Sequence, residues 1–178
     1  MRAVIVYESM FGATRQIAEA IGEGLGGPDV ASVVPVREVT PELIRSADLL
    51  VVGGPTHVHG MARTRTRLAA AEMAGKPEKH LHLEPGATGP GLREWLADLE
   101  KLQGPAAAFD TRASGPSFFT GRASRRIGRL LQRRGAWLVG KPHSFLIAEN
   151  ELADGELEAA RNWGQAIATA VRMNRAAA

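Results

Sequence analysis

Ser9, Gly12 and Thr14 fall within eight residues, Tyr7-Glu8-Ser9-Met10-Phe11-Gly12-Ala13-Thr14, between the apolar run Ala3 to Val6 and an amphipathic run that begins at Thr14. A helix that starts there presents unpaired backbone N–H groups and a partial positive charge. Two hydroxyls beside those amides make a phosphate cradle, and Gly12 lets the backbone come close to the ligand. The cradle has no lysine. Neither the Gly-Lys-Ser/Thr of a triphosphate loop nor the Gly-x-Gly-x-x-Gly of a dinucleotide fold is present, which points to a single phosphate. The other use of Ser9 and Thr14 is simply to cap the helix. The loop alone leaves both uses open.

Two further stretches hold chemistry. Gly54-Pro55-Thr56-His57-Val58-His59-Gly60 is rich in glycine and histidine, and Thr111-Arg112-Ala113-Ser114-Gly115 opens a loop that runs to Gly121. The pairs His57/His59 and His80/His82, with Glu84 nearby, have the residue types of a metal site but not the spacing of a known ligand motif. An imidazole titrates near neutral pH, so His57 or His59 is suited to bonding a ligand ring or giving a proton to a substrate. No catalytic triad or carboxylate pair emerges, and His143 has no evident role.

The net charge is +3 and the basic residues are nearly all arginine. Arg63, Arg65 and Arg67 follow the second stretch, Arg112 lies in the third, and Arg122, Arg125, Arg126, Arg129, Arg133 and Arg134 fall in one helical segment. Such a rim attracts acidic substrates or partners. The plainer use of the helical arginines is a solvated outer face. Nucleic acid is the least supported partner, because that helix interleaves no stacking aromatics with its arginines.

The elements that must position these residues alternate. The chain has 178 residues, 44% apolar and 23% charged, a globular composition for one domain. Cysteine is absent, which excludes disulfides, thiolate metal sites and a cysteine nucleophile, and suits a reducing, cytoplasmic setting. The N-terminus reads as a strand and not as a signal peptide. No apolar run nears the ~20 residues of a membrane span.

Strands are expected at Ala3–Tyr7, Val30–Val36, Asp48–Gly53, Pro105–Phe109 and Ala136–Ala148, the last interrupted at Lys141-Pro142. Helices are expected at Thr14–Leu25, with Ile17, Ala18, Ile21 and Leu25 on one face, and at Arg63–Ala74, Leu92–Leu102, Arg122–Arg134 and Asp154–Met173. A helical turn fits Pro41–Ala47. Residues 75–91 read as a long surface loop. This is an α/β, doubly wound, five-stranded parallel sheet, whose ligands belong beyond the carboxyl ends of the strands. The loops after strands one, three and four are the three unusual ones.

With these loops in this order the chain resembles the flavodoxin-like family, which binds FMN. The resemblance implies strand order 2-1-3-4-5, a single domain over 1–174 and a short tail at 175–178. The family's first loop runs Ser/Thr-x-Thr-Gly-x-Thr. Ser9, Gly12 and Thr14 match its first, fourth and sixth positions, and Phe11 replaces the middle threonine. Gly54-Pro55-Thr56-His57 is similar to the family's Gly/Ser-Pro-Thr-aromatic segment, with His57 in the aromatic place. The third loop has no sharp match.

The FMN-binding residues so implied are Ser9, Met10, Phe11, Gly12, Ala13 and Thr14, then Pro55, Thr56, His57, Val58, His59 and Gly60, then Thr111, Arg112 and Gly115. The usual Trp/Tyr sandwich is missing, and the one tyrosine lies in the first strand. The ring would stack on His57, Phe11, Phe118 or Phe119, each pair worth about 0.5–1.5 kcal/mol; the other use of the last two is core packing under their loop. A cation about 4 Å from the ring is worth ~4 kcal/mol at an effective dielectric of 20 and ~1 kcal/mol in water. A basic rim therefore raises the flavin potential, which suits a reductase or oxidase better than a very low-potential carrier.

The implied function is FMN-dependent electron transfer or NAD(P)H-dependent reduction. Its partner is a redox protein or a small-molecule electron donor or acceptor, with no membrane involved. The alternative is a module that keeps the fold, binds no flavin and acts in binding or regulation, an option raised by Phe11 and His57.

Overall fold

The computed structural model describes residues 1–57, 60–76, 80–148 and 151–176. Its centre is β1 (Ala3–Tyr7), buried along its whole length. A strand covered on both faces must be apolar on both, and Ala-Val-Ile-Val-Tyr is. β1 pairs in parallel with β2 (Ala31–Pro35) on one side and with β3 (Leu49–His57) on the other. β3 pairs in parallel with β5 (Pro105–Ala113), and β5 with β7 (His143–Ala148). The order β2-β1-β3-β5-β7 is the expected 2-1-3-4-5 of the main strands, with a short antiparallel β8 (Glu151–Leu152) at the edge. β4 (Gly60–Met61) folds back antiparallel onto the end of β3.

Two boundaries differ from the sequence expectation in ways that matter for the site. β3 continues through Pro55–His57 and β5 through Thr111–Ala113, so these residues extend strands and do not belong to free loops. The cause is lateral pairing: Pro55 aligns with Thr111, and Ala113 with Ile147. The expected fifth strand divides into β6 (Trp137–Leu138) and β7 around Lys141-Pro142, where proline has no N–H for the ladder.

Alternate residues of β1 feed two cores. Ala3, Ile5 and Tyr7 join Val51, Phe109 and Phe145 under α1 (Ala13–Leu25) and the long α7 (Glu156–Ala176). Val4 and Val6 join Leu50, Val52, Leu96, Ile127 and Leu131 on the opposite face. That second face is covered by α2 (Pro41–Arg45), α4 (Leu92–Asp98) and α6 (Ala123–Arg133), while α3 (Thr64–Ala74) and the short α5 (Ser117–Thr120) flank the carboxyl end of the sheet. α1 buries the anticipated stripe of Ile17, Ala18, Ile21 and Leu25.

α1 and α7 approach backbone to backbone. A methyl on Gly24 would lie 2.0 Å from the Arg161 carbonyl oxygen, and one on Gly164 would lie 2.5 Å from that of Ile21. α7 runs through Ala176, into the stretch expected as a tail. α4 ends at Asp98, one turn short of its expected length. Residues 80–91 form neither helix nor strand. No described helix is long and apolar enough to cross a membrane.

Candidate functional site

β1 ends at Tyr7, and the chain turns at once. The Ser9 hydroxyl accepts a hydrogen bond from the Gly12 amide at 3.1 Å, closing the turn. Gly12 then starts α1 in the left-handed region, at φ 96°, with no side chain capping the helix. The amides of Ala13, Thr14 and Arg15 have no intrahelical acceptor by position. Thr14 does not cap either: its hydroxyl reaches across to the Thr111 hydroxyl of β5, 2.7 Å away, and both residues are buried. Of the two hydroxyls in such a pair one donates, and the other keeps its own hydrogen. The turn thus combines free helix amides, a spare hydroxyl hydrogen and a glycine where a side chain would be strained, which fits a phosphate group.

The second and third stretches are tied together beneath the surface. Asp110 on β5 is fully buried. Its Oδ2 accepts from the Thr56 hydroxyl at 2.5 Å and from the Ala123 amide, the first of α6, at 2.7 Å. That amide also donates to the Thr56 hydroxyl, at 2.9 Å. One carboxylate therefore fixes the end of β3 to the N-terminus of a helix, where a negative charge is favoured. Arg112 braces the third loop: its Nη1 donates to the carbonyls of Ala113 and Gly115 and to the Thr120 hydroxyl, at 3.2, 2.8 and 2.8 Å.

Between these stretches lies a cleft of about 320 Å³. Ser9, Met10, Phe11, Ala13 and Thr14 line it from the first turn, Pro55, Thr56 and His57 from β3, and Thr111 and Arg112 from β5; Ala113 and Ile147 complete it. Gly12, Gly60 and Gly115 shape the surrounding backbone and do not line it. Val58 and His59 lie outside the described residues. Phe11 and His57 are its aromatic walls. Burial, and then the charge of Arg67, push the His57 pKa below its usual value, so the ring is neutral at neutral pH. Phe118 is 87% exposed and so is not core beneath its loop. Met10 is buried against Ala70 and Ala87 and anchors the turn. Among the described residues no three His, Asp or Glu side chains gather as a metal site.

A second tier of residues lies behind the cleft: sequence reasoning missed Glu8 and Asp110, and it named Glu84 only beside the histidine pairs and Arg67 only in a basic rim. Glu84 arrives from residues 80–91. Its amide donates to the Met10 carbonyl at 2.9 Å, and its carboxylate accepts from Arg15 Nε at 2.6 Å. A methyl placed on Gly12 would be 3.7 Å from Glu84 Oε1, so a carboxylate overhangs the turn. Beneath the other side, Glu8 is buried with Oε2 accepting from the Leu92 amide at 2.8 Å and Oε1 3.7 Å from Arg67 Nη1. Arg67 is 1% exposed and also lies 3.2 Å from Glu94. Burial raises the Glu8 pKa against the opposing pull of the Leu92 amide and Arg67. Asp110 stands directly before Thr111, and Glu8 directly before Ser9. The only signal for either was its place at the end of an apolar strand, where a charged side chain is rarely buried without a purpose.

A doubly wound sheet with a phosphate-ready turn at its switch point defines a class of nucleotide-binding α/β protein. Within that class the chain belongs to the flavodoxin family, whose model matches residues 5–163. The cofactor of that family is FMN. Solved structures share the fold. A flavodoxin from the domain Archaea is 21% identical, with a TM-score of 0.65 over 97% of this chain and 99% of that one. Oxidised Flavodoxin 1 from Bacillus cereus is 16% identical, with a TM-score of 0.65 over 95% and 98%. A flavodoxin, WrbA-like protein from Agrobacterium tumefaciens is 19% identical, with a TM-score of 0.62 over 97% and 98%. No curated protein sequence matches the chain.

Proposed function

We propose that this chain holds FMN in the cleft between Ser9–Thr14, Pro55–His57 and Thr111–Ala113 and passes electrons between a donor and an acceptor in a reducing cytoplasm. The observation that carries the proposal is the uncapped start of α1: the Ala13, Thr14 and Arg15 amides open beside the Ser9 and Thr14 hydroxyls, at one end of a cleft walled by Phe11 and His57. FMN supplies the redox chemistry when bound, and the protein supplies position and electrostatics. The amides and hydroxyls hold the phosphate. Pro55 to His57 and Thr111 to Arg112 edge the ring. Thr56 acts through the shape of the strand end, because its hydroxyl is already spent on Asp110 and the Ala123 amide, and Arg112 Nη1 is likewise spent on the third loop, whereas its buried Nε has no protein partner. Burial and the charge of Arg67 keep His57 neutral, so its ring would meet the flavin without a charge.

The second reading, a flavodoxin fold without flavin, is favoured by one observation only: the Glu84 carboxylate overhanging the phosphate turn. Titration of the flavin-free protein with FMN and with riboflavin, followed by flavin fluorescence, decides between them. Two charge-assisted bonds to a phosphate are worth about 3 kcal/mol, so FMN is expected to bind about 100-fold more tightly than riboflavin. No uptake of FMN at micromolar concentration overturns the proposal. Rates with NADH and NADPH as donors, against rates with a reduced redox protein, then separate a reductase from a carrier.

A further inference from the structure

Residues 111–148 contain eight arginines and lysines and no aspartate or glutamate, so the remainder of the chain is net acidic. α6 concentrates this charge. Ala123, Ile127 and Leu131 bury its inner face, while Arg125, Arg126, Arg129 and Arg133 are exposed. A merely solvated helix face usually pairs its cations with carboxylates one turn away. Elsewhere on this surface arginines do find carboxylates, on their own element or on another: Arg15, Arg37, Arg45, Arg161 and Arg175 each meet one at 2.6 to 2.9 Å. Among the described residues no carboxylate forms an ion pair with any arginine of α6, or with Arg63 or Arg93.

The unpaired charges also converge. Arg93 is pinned by the carbonyls of Met61 and Ala62, at 3.0 and 3.2 Å. Burial, and then the charges of Arg126 and Arg63, lower its pKa, so three guanidinium groups from three elements share one region. Glu94 and Glu8 act on Arg93 in the opposite sense, but both are engaged by Arg67. This region borders the cleft: Met61 and Ala62 follow the second stretch, and the first amide of α6 is bonded to Thr56. Like charges held together in the free protein are unfavourable until an opposite charge covers them.

We propose that α6, together with Arg63 and Arg93, is the docking surface for an acidic electron-transfer protein, whose carboxylates pair with these arginines and bring its redox centre to the mouth of the cleft. The proposal rests on the FMN reading for its purpose and on the unpaired arginines for its geometry. A protein fits better than a nucleic acid: α6 offers no aromatic side chain on which a base could stack, and the patch adjoins the cleft.

The test is a binding titration of the FMN-loaded chain at low and high salt. The probes are a small acidic [2Fe–2S] protein, a basic c-type cytochrome and a short DNA duplex. The acidic protein is expected to bind at low salt and to lose about tenfold or more in affinity at high salt, and the cytochrome is expected not to bind. The double substitution Arg126→Glu with Arg129→Glu should lower affinity for the acidic protein about tenfold or more. FMN affinity and melting temperature should hold, and Arg126→Lys with Arg129→Lys should retain most of the binding. Absence of binding, binding indifferent to charge reversal, or tighter binding of the duplex than of the acidic protein overturns the proposal. The same titration on the flavin-free chain keeps the two readings apart. Charge-dependent binding without FMN uptake supports the surface and sinks the cofactor, whereas normal FMN uptake without binding sinks the surface alone.

Discussion

Removing the Asp110 carboxylate tests the tie between the second stretch and α6. The residue is fully buried, and Oδ2 takes the Thr56 hydroxyl at 2.5 Å and the Ala123 amide at 2.7 Å. In Asp110→Ala the amide keeps a partner, since the Thr56 oxygen is 2.9 Å away, but the Thr56 hydroxyl loses its acceptor. A hydrogen bond to a charged group contributes about 1.5–3 kcal/mol, and a carboxylate at a helix N-terminus about 0.3–1 kcal/mol. In the opposite direction, Oδ1 is buried with no partner, so the substitution also relieves a desolvation penalty. The balance is a loss of about 2–3 kcal/mol, or roughly 4–12 °C in melting temperature at about 2–4 °C per kcal/mol for a chain of this size. Asp110→Asn keeps an acceptor oxygen in place and should lose about half as much. Because Thr56 edges the cleft, FMN affinity should fall in the same order. Thermal melts by circular dichroism and flavin fluorescence titrations read both. An alanine variant that melts within error of the parent, or above the asparagine variant, would refute the reasoning: the unpaired oxygen would then outweigh the two bonds.

Five further outcomes are expected. Gly12→Ala should weaken FMN about tenfold through backbone strain of about 1–2 kcal/mol at φ 96°, not through crowding, since the nearest atom is 3.7 Å from the new methyl; unchanged affinity in the titration counts against the turn as the phosphate site. Glu84→Gln removes a negative charge above that turn while leaving an oxygen for Arg15, and should tighten FMN binding, most clearly at low salt; weaker binding would show that Glu84 supports the site.

The Glu8 pKa is raised by folding, so its contribution to stability is full below about 4.5, the unfolded value, and is lost as pH rises through the folded value. The His57 pKa is lowered, so its contribution is present above about 6.5 and lost as pH falls through the folded value. Glu8→Gln, which stays neutral, should therefore remove the loss of stability that Glu8 brings as pH rises above about 4.5, and NMR titration of His57 should give a midpoint below 6.5. Gly164→Ala places a methyl 2.5 Å from the Ile21 carbonyl oxygen and should cost about 1–3 kcal/mol in denaturant unfolding, while a neutral result would mean that α7 slides to accept it.

Much of this molecule is decided by local chemistry. The uninterrupted apolar run Ala3–Tyr7 demands a strand covered on both faces, and the spacing of Ile17, Ala18, Ile21 and Leu25 demands a helix lying on a sheet. Five such alternations leave few topologies, and the turn at Ser9, Gly12 and Thr14 shows its donors in its residue types. These features depend on neighbours within one or two turns, so a linear reading reaches them. Tertiary structure alone placed Asp110 under Thr56, Arg67 between Glu8 and Glu94, and Glu84 over Gly12, because each pairing joins elements far apart in the chain. It also turned Pro55–His57 and Thr111–Ala113 into strand, since lateral hydrogen bonds between β3, β5 and β7 are invisible to any single segment. The arginines of α6 show the division most plainly: their number was evident from the residues, but whether they were balanced depended on which carboxylates folding brought near, and it brought none within ion-pair distance among the described residues.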